Sequence, residues 1–165
     1  MMALNFLRAC FFAASLTWIT LSPAQSAGVS LPDAANLQTE AIDAEARGLP
    51  LLIFFTASRC AYCTQVREEF LLPMLRNPDY ARKIVMRQIT VSSSAALRDF
   101  NGKPSTHREF SKRHRIKLTP TVIVFSPQGA PLSEPLVGLS TPDFYGAYLD
   151  RAIDEGLAAM PKRHQ

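Results

Sequence analysis

Cysteine is scarce in this sequence, and the scarcity is informative. Three occur in 165 residues, Cys10, Cys60 and Cys63, alongside a single tryptophan, Trp18. So few thiols exclude a domain stapled by disulfides, and a loop closed between Cys60 and Cys63 is too short to restrain much of the chain. Structural zinc needs four ligands. Beyond that pair the chain offers only His107, His114 and His164, with no second Cys-x-x-Cys, so no metal site is expected. Covalent haem attachment needs histidine after the second cysteine, and Thr64 stands there. Repeats, low-complexity tracts and long linkers are also missing, which leaves a chain of ordinary length for one domain with its own core.

Acidic residues are nearly absent from one region. Between Arg82 and Lys117 only Asp99 and Glu109 stand against a run of lysines and arginines, while the net charge of the whole chain is +4. The plain reading of this stretch is a solvated helix face; the sharper one is a docking surface for an acidic partner. For an exported protein whose cations are not regularly interleaved with aromatics, nucleic acid is not expected as a partner.

Export is suggested by the N-terminus. Arg8 supplies a short positive region, Ala9 to Leu21 is almost unbroken apolar sequence, and Ser22-Pro23-Ala24-Gln25-Ser26-Ala27 provides small residues for cleavage. This reads as a cleavable signal peptide over residues 1–27, followed by one domain over 28–165, and implies a periplasmic location. The alternative is an uncleaved signal anchor. Cleavage would remove Cys10 and Trp18, leaving Cys60 and Cys63 as the only thiols in a compartment where disulfides persist.

Along the remaining chain, Asp33 is a candidate cap for a helix running to Arg47, with Gly48 ending it. Leu49 to Thr56 is a continuous apolar run, as in a strand covered on both faces. A helix follows from Cys60, with Val66, Phe70 and Leu71 inward and Pro73 kinking or ending it. Ile84 to Val91 is a second strand. Ser92 to Pro104 reads as a loop with a tight turn at Asn101-Gly102 and a short helix at Ala95 to Phe100. Thr106-His107-Arg108-Glu109 is a capping-box pattern opening a helix to Arg115. Thr121 to Phe125 and Leu132 to Val137 form strands about a Pro127-Gln128-Gly129 turn. The last helix starts at Thr141-Pro142, with Tyr145, Tyr148, Leu149, Ala152, Ile153 and Leu157 on one face.

Cys60-Ala61-Tyr62-Cys63 sits where the buried strand gives way to a helix. Residues i and i+3 share a helix face at a separation compatible with a disulfide. A cysteine at the helix start also has backbone N–H groups and the helix dipole aimed at its sulfur, which favours thiolate. The thiolate is the attacking species in exchange, so Cys60 is the expected nucleophile and Cys63, one turn inward, the resolving thiol. Arg59 adds positive charge beside Cys60. The same soft thiol pair could instead hold Cu(I), or lie inert in a core.

These motifs carry a resemblance. Strand, Cys60-Ala61-Tyr62-Cys63 and helix, then Thr119-Pro120-Thr121-Val122-Ile123-Val124-Phe125, Gly129, Val137-Gly138 and a closing helix, is similar to the thioredoxin family over about Leu49 to Leu157. The resemblance implies an α/β thioredoxin fold, a central mixed β-sheet flanked by helices. It implies a redox-active Cys60–Cys63 disulfide, no cofactor, a cis Pro120 facing that disulfide, and a substrate site that includes Tyr62, Thr119 and Pro120. On the residues alone a trans proline opening a strand would be the default. Two departures are informative: cytosolic thioredoxins carry a buried acid six residues before the first cysteine and tryptophan immediately before it, and here those positions are Phe54 and Arg59. Glu68 and Glu69 are candidates to replace the acid, though their helix position suits solvated surface. Tyr62-Cys63 and Thr119 are more similar to exported disulfide reductases and isomerases. The Asp99-Phe100-Asn101-Gly102-Lys103 segment resembles periplasmic thioredoxins found with sulfur-oxidation systems. The expected activity is therefore an exported protein-disulfide oxidoreductase, reducing disulfides or persulfides of exported partners, among them a sulfur-oxidation carrier protein, with electrons from a membrane donor. An oxidase or isomerase of exported thiols is the alternative direction, and a Cu(I)-binding thiol carrier the alternative class.

Overall fold

The computed structural model describes residues 29–160. The expected signal peptide, Cys10 and Trp18 lie outside those residues.

Helix α1, Leu37–Arg47, begins at Asn36, whose Oδ1 accepts from the Thr39 N–H at 3.2 Å. Asp33, the candidate cap, is used otherwise. Its segment pairs with the sheet, Ala34 N–H donating to Gln88 O at 2.9 Å and Gln88 N–H to Pro32 O at 2.8 Å. Backbone pairing at an open sheet edge satisfies more groups than an earlier helix start would. Gly48 closes α1 at φ 70°, a left-handed conformation that glycine adopts without steric cost.

The central sheet has four strands, in the spatial order 85–90, 51–56, 121–125 and 136–137. Strands β1 (Leu51–Thr56) and β2 (Val85–Thr90) run parallel; β5 (Thr121–Phe125) is antiparallel to β1, and β6 (Leu136–Val137) antiparallel to β5. Every residue of β1 is buried, as its unbroken apolar run requires. Alternation divides the core. Leu52, Phe54, Val122 and Val124 face one side with Cys63, Leu71, Leu149 and Ile153; Ile53, Phe55, Ile123 and Phe125 face the other with Leu37, Leu97 and Phe110. Each fully buried phenylalanine or leucine contributes on the order of 2–3 kcal/mol of apolar burial. Strand β6 is shorter than the expected Leu132–Val137. Pro131 and Pro135 lack the N–H that a ladder needs, and beyond β6 a bridge at Phe125–Pro131 and the bond from Leu132 N–H to Val124 O (2.8 Å) tie this segment to β5.

Pro73 does not end the helix after the cysteines. Helix α2 (Ala61–Val66) passes through a π turn, Arg67–Leu71, into α3 (Leu72–Arg76), and Leu72 N–H reaches back to Arg67 O. The widened turn lies directly before the proline, where an α-helical ladder would lose a bond and meet the ring. Asn77 then caps the short α4 (Pro78–Ala81).

The short helix expected at Ala95 to Phe100 is absent. Strands β3 (Ala96–Arg98) and β4 (Pro104–Thr106) form a small antiparallel hairpin there. Asp99 Oδ1 accepts from Asn101 N–H (3.0 Å) and Lys103 N–H (2.9 Å), a side-chain competitor to helical bonding. The capping box is present: Thr106 Oγ1 accepts from Glu109 N–H, and Glu109 Oε2 from Thr106 N–H. Helix α5 spans His107–Arg113 and stops short of Arg115, which sits at φ 54° and cannot continue it. Helix α6, Pro142–Ala159, buries Tyr145, Leu149, Ala152, Ile153 and Gly156. A Cβ at Gly156 would stand 2.5 Å from Val124 Cγ1, so glycine permits the approach of α6 to β5.

Candidate active site

Strand β1 ends at Thr56, and a short loop carries the chain to Cys60, the N-cap of α2. Arg59 makes the turn at φ 59°, in the left-handed region. The backbone at Cys60 is extended while Cys63 is already helical, so the Cys63 N–H points at the Cys60 sulfur, 3.1 Å away. Sulfur here takes the capping role usually filled by a hydroxyl or carboxylate oxygen. The two cysteines are joined as a disulfide, with Cα atoms 5.2 Å apart. Cys63 is 1% exposed and Cys60 is half-buried. Only one sulfur is therefore within reach of a macromolecular partner.

The Thr119–Pro120 peptide bond is cis. This turn brings Thr119 against the disulfide: its carbonyl oxygen lies 3.9 Å and its Oγ1 3.8 Å from Cys60 Sγ, with the hydroxyl able to donate to the sulfur. Pro120 is buried, and its carbonyl accepts from the Gly138 N–H at 2.7 Å, tying the turn to the end of β6. Thr121 Oγ1 donates to Leu118 O at 2.9 Å. The structure thus brings together Cys60, Cys63, Thr119 and Pro120. Tyr62 lies on the same helical turn and is 63% exposed, and Leu118 is 64% exposed. Beside this turn a depression of about 300 Å³ is lined by Arg115, Lys117, Leu118, Pro135 and Val137 among others.

Neither candidate substitute for the missing carboxylate is buried. Phe54 is fully buried, while Glu68 and Glu69 face solvent, with Glu69 accepting from Gln65 at 3.1 Å. Arg67, a residue the sequence did not single out, reaches over the Phe54 ring, 5.8 Å from guanidinium to centroid. Its spacing of four from Cys63 places it on the inner helix face, but that signal is shared by many structural cations. His114 does not approach the sulfurs. Its ring packs between Phe110 and Phe125, with centroids 4.3 and 5.0 Å away, on the opposite face of the sheet. Burial and then Arg113 push its imidazole below the ordinary range, against a smaller pull from Asp99.

Residues 37–153 match the thioredoxin-like domain family. Among solved structures, a thioredoxin-fold protein from Helicobacter pylori is similar at 18% identity and TM-score 0.53, over 70% of this chain and 75% of that one. A thioredoxin from Thermus thermophilus aligns at 21% identity and TM-score 0.50, over 78% and 91% of the two chains. A search of curated proteins finds no match.

Proposed function

The chain belongs to the thioredoxin-like family, and from that premise we propose that it is an exported thiol–disulfide oxidoreductase working in the reducing direction. Family and disulfide together support the oxidoreductase class. The observation that carries the reading is the half-buried Cys60 sulfur, held at a helix N-terminus under the Cys63 N–H and beside Thr119. In the reduced protein those donors favour the Cys60 thiolate.

The exchange runs in two displacements. The Cys60 thiolate attacks one sulfur of a partner disulfide; the other leaves as a thiolate and takes a proton from solvent. Cys63 then loses its proton, attacks Cys60 Sγ and expels the second partner thiolate, which is protonated in turn. Two electrons and two protons pass to the partner, and Cys60–Cys63 becomes the disulfide. Buried Cys63 is suited to the second step alone, because it meets only the sulfur already bound to Cys60. Thr119 and Pro120 shape the edge on which the partner strand lies, and Tyr62 and Leu118 offer it apolar surface. Arg115 and Lys117 beside them favour an acidic segment of the partner.

Export and a periplasmic site of action rest on the apolar N-terminal segment and its small-residue cleavage site. The partners in this reading are exported proteins bearing disulfides or persulfides, including a sulfur-oxidation carrier, and a membrane donor returns the electrons. Dithiothreitol-driven reduction of insulin by the chain lacking residues 1–27, with Cys60→Ser as control, tests the activity. Turnover in the first and none in the second is expected; no turnover with tight binding of one Cu(I) would replace the reading with a thiol carrier. A reduction potential near or below about −230 mV supports the reducing direction, and one above about −150 mV makes the protein an oxidant of exported thiols.

A further inference from the structure

Behind the disulfide, the sheet face that carries a carboxylate in cytosolic thioredoxins carries a cation here. Phe54 and Gln88 are register partners in parallel strands and so share one face, with Thr56 two residues on. Arg67 lies one helical turn after Cys63, its N–H bonded to the Cys63 carbonyl. Side chains on a helix lean toward its N-terminus, which directs this one back beneath the cysteine turn. The guanidinium lies over the Phe54 ring; Nε donates to Gln88 Oε1 and Nη2 to Thr56 Oγ1, both at 3.2 Å. Cys63 packs in the same core cluster as Phe54 and Val66.

Every group that holds this guanidinium is neutral. Among the described residues no carboxylate stands within ion-pair distance of Arg67; the ion pairs are made by Arg47, Arg82, Lys83, Arg87 and Arg113. Glu68 and Glu69 on its own helix are exposed, as is Asp33, which backbone pairing sets beside Gln88; Arg59 is a further exposed cation at the cysteine turn. A fixed positive charge in partly buried surroundings acts on a nearby thiol far more strongly than one in water.

We propose that Arg67 is a positioning residue for the redox step: it stabilises the thiolate of Cys63 and, at pH values where that thiolate forms, raises the reduction potential of the Cys60–Cys63 pair. Where Cys63 is still protonated, its proton passes to solvent in the second displacement. The inference rests on the reading of Cys60–Cys63 as an exchanging pair.

The experiment compares the dithiol–disulfide equilibrium of the wild type, Arg67→Met, Arg67→Lys and Gln88→Glu in glutathione buffers at a pH above the Cys63 titration of each protein. Arg67→Met is expected to shift the equilibrium about tenfold toward the disulfide, a potential about 30 mV lower. In a Cys60→Ser background, thiolate absorbance should show the Cys63 titration moving up by about one pH unit in Arg67→Met. Arg67→Lys keeps the charge and should stay near wild type in both. Gln88→Glu sets a carboxylate against Nε without removing the arginine, so it gives the same downward shift even if Arg67→Met fails to fold. An unchanged potential in Gln88→Glu and in any folded Arg67→Met, with insulin reduction by the wild type intact, overturns the role of Arg67 alone. Absence of exchange in the wild type would overturn the parent reading instead.

Discussion

The two faces of the sheet hold their buried polar groups by different means. On the α5 face, His107 is 2% exposed and uses both ring nitrogens: Nδ1 accepts from Thr90 N–H at 3.1 Å, and Nε2–H donates to Ala34 O at 2.8 Å. That pattern requires the neutral imidazole and ties α5, β2 and the N-terminal segment together. On the α2 face, the hydroxyl of buried Tyr145 has no hydrogen-bond partner among the described residues, and burial lifts its pKa to about 12. Arg67 on that face has only neutral acceptors, and a sulfur serves as a helix cap. A buried donor or acceptor left unpaired costs on the order of 1–3 kcal/mol. The α5 side leaves one buried oxygen without a partner among the described residues too, Glu40 Oε2 of α1, although its Oε1 pairs with Arg87 at 2.9 Å; what sets the α2 face apart is a guanidinium held by neutral groups alone.

The sharpest way to break this contrast is to remove the histidine. His107→Leu strands the Thr90 N–H and the Ala34 carbonyl, and we expect a loss of roughly 2–4 kcal/mol of unfolding free energy. Urea unfolding measures it, and the potential of the Cys60–Cys63 pair should stay within error of wild type. A large change in potential would mean that the two faces are not independent.

A smaller effect is expected from pH. The folded value of His114 is depressed below its ordinary 6.5 by burial and by Arg113. The unfolded chain therefore takes up a proton that the folded chain refuses. The stability held by the neutral ring is complete above about 6.5 and falls as pH drops toward the folded value. The denaturation midpoint should be lower at pH 5.5 than at pH 7.5, and His114→Phe, which keeps a ring between Phe110 and Phe125, should flatten that difference. An identical pH slope in the variant would remove His114 from the account.

The smallest effect belongs to Tyr145→Phe. Deleting a hydroxyl without a partner removes its burial cost and no bond, so a change between zero and a gain of about 1 kcal/mol is expected in the same unfolding assay. A clear loss of stability would show that the hydroxyl is satisfied, and the contrast between the faces would weaken accordingly.

The elements that position the site were the readable ones, because each rests on local chemistry. An all-apolar run fixed β1, Cys60 to Cys63 spacing marked a helix start, and Thr106 with Glu109 gave the capping box that the structure contains. What escaped was decided by partners distant in sequence. Asp33 is a good cap by residue type, yet its segment is claimed by the edge of β2, 55 positions on at Gln88. The tight turn at Asn101-Gly102 was legible, but the strands it joins were not, because each is three residues long and is defined only by pairing with the other, Ala96 with Thr106. Arg67 resembles any helical cation until Thr56 and Gln88 are seen to receive it.

The π turn at Arg67–Leu71 has a consequence for how this chain tolerates change. A single π turn is equivalent to one residue inserted into an α-helix, and it offsets the angular phase of everything after it from everything before. The segment bearing Cys63, Val66 and Arg67 and the segment bearing Leu71, Leu72 and Met74 are thus two reading frames on one rod. The second frame anchors the rod in the core, while the first aims the sulfur. Deleting one residue from this turn would merge the frames, so that core and cysteines could no longer both be in phase.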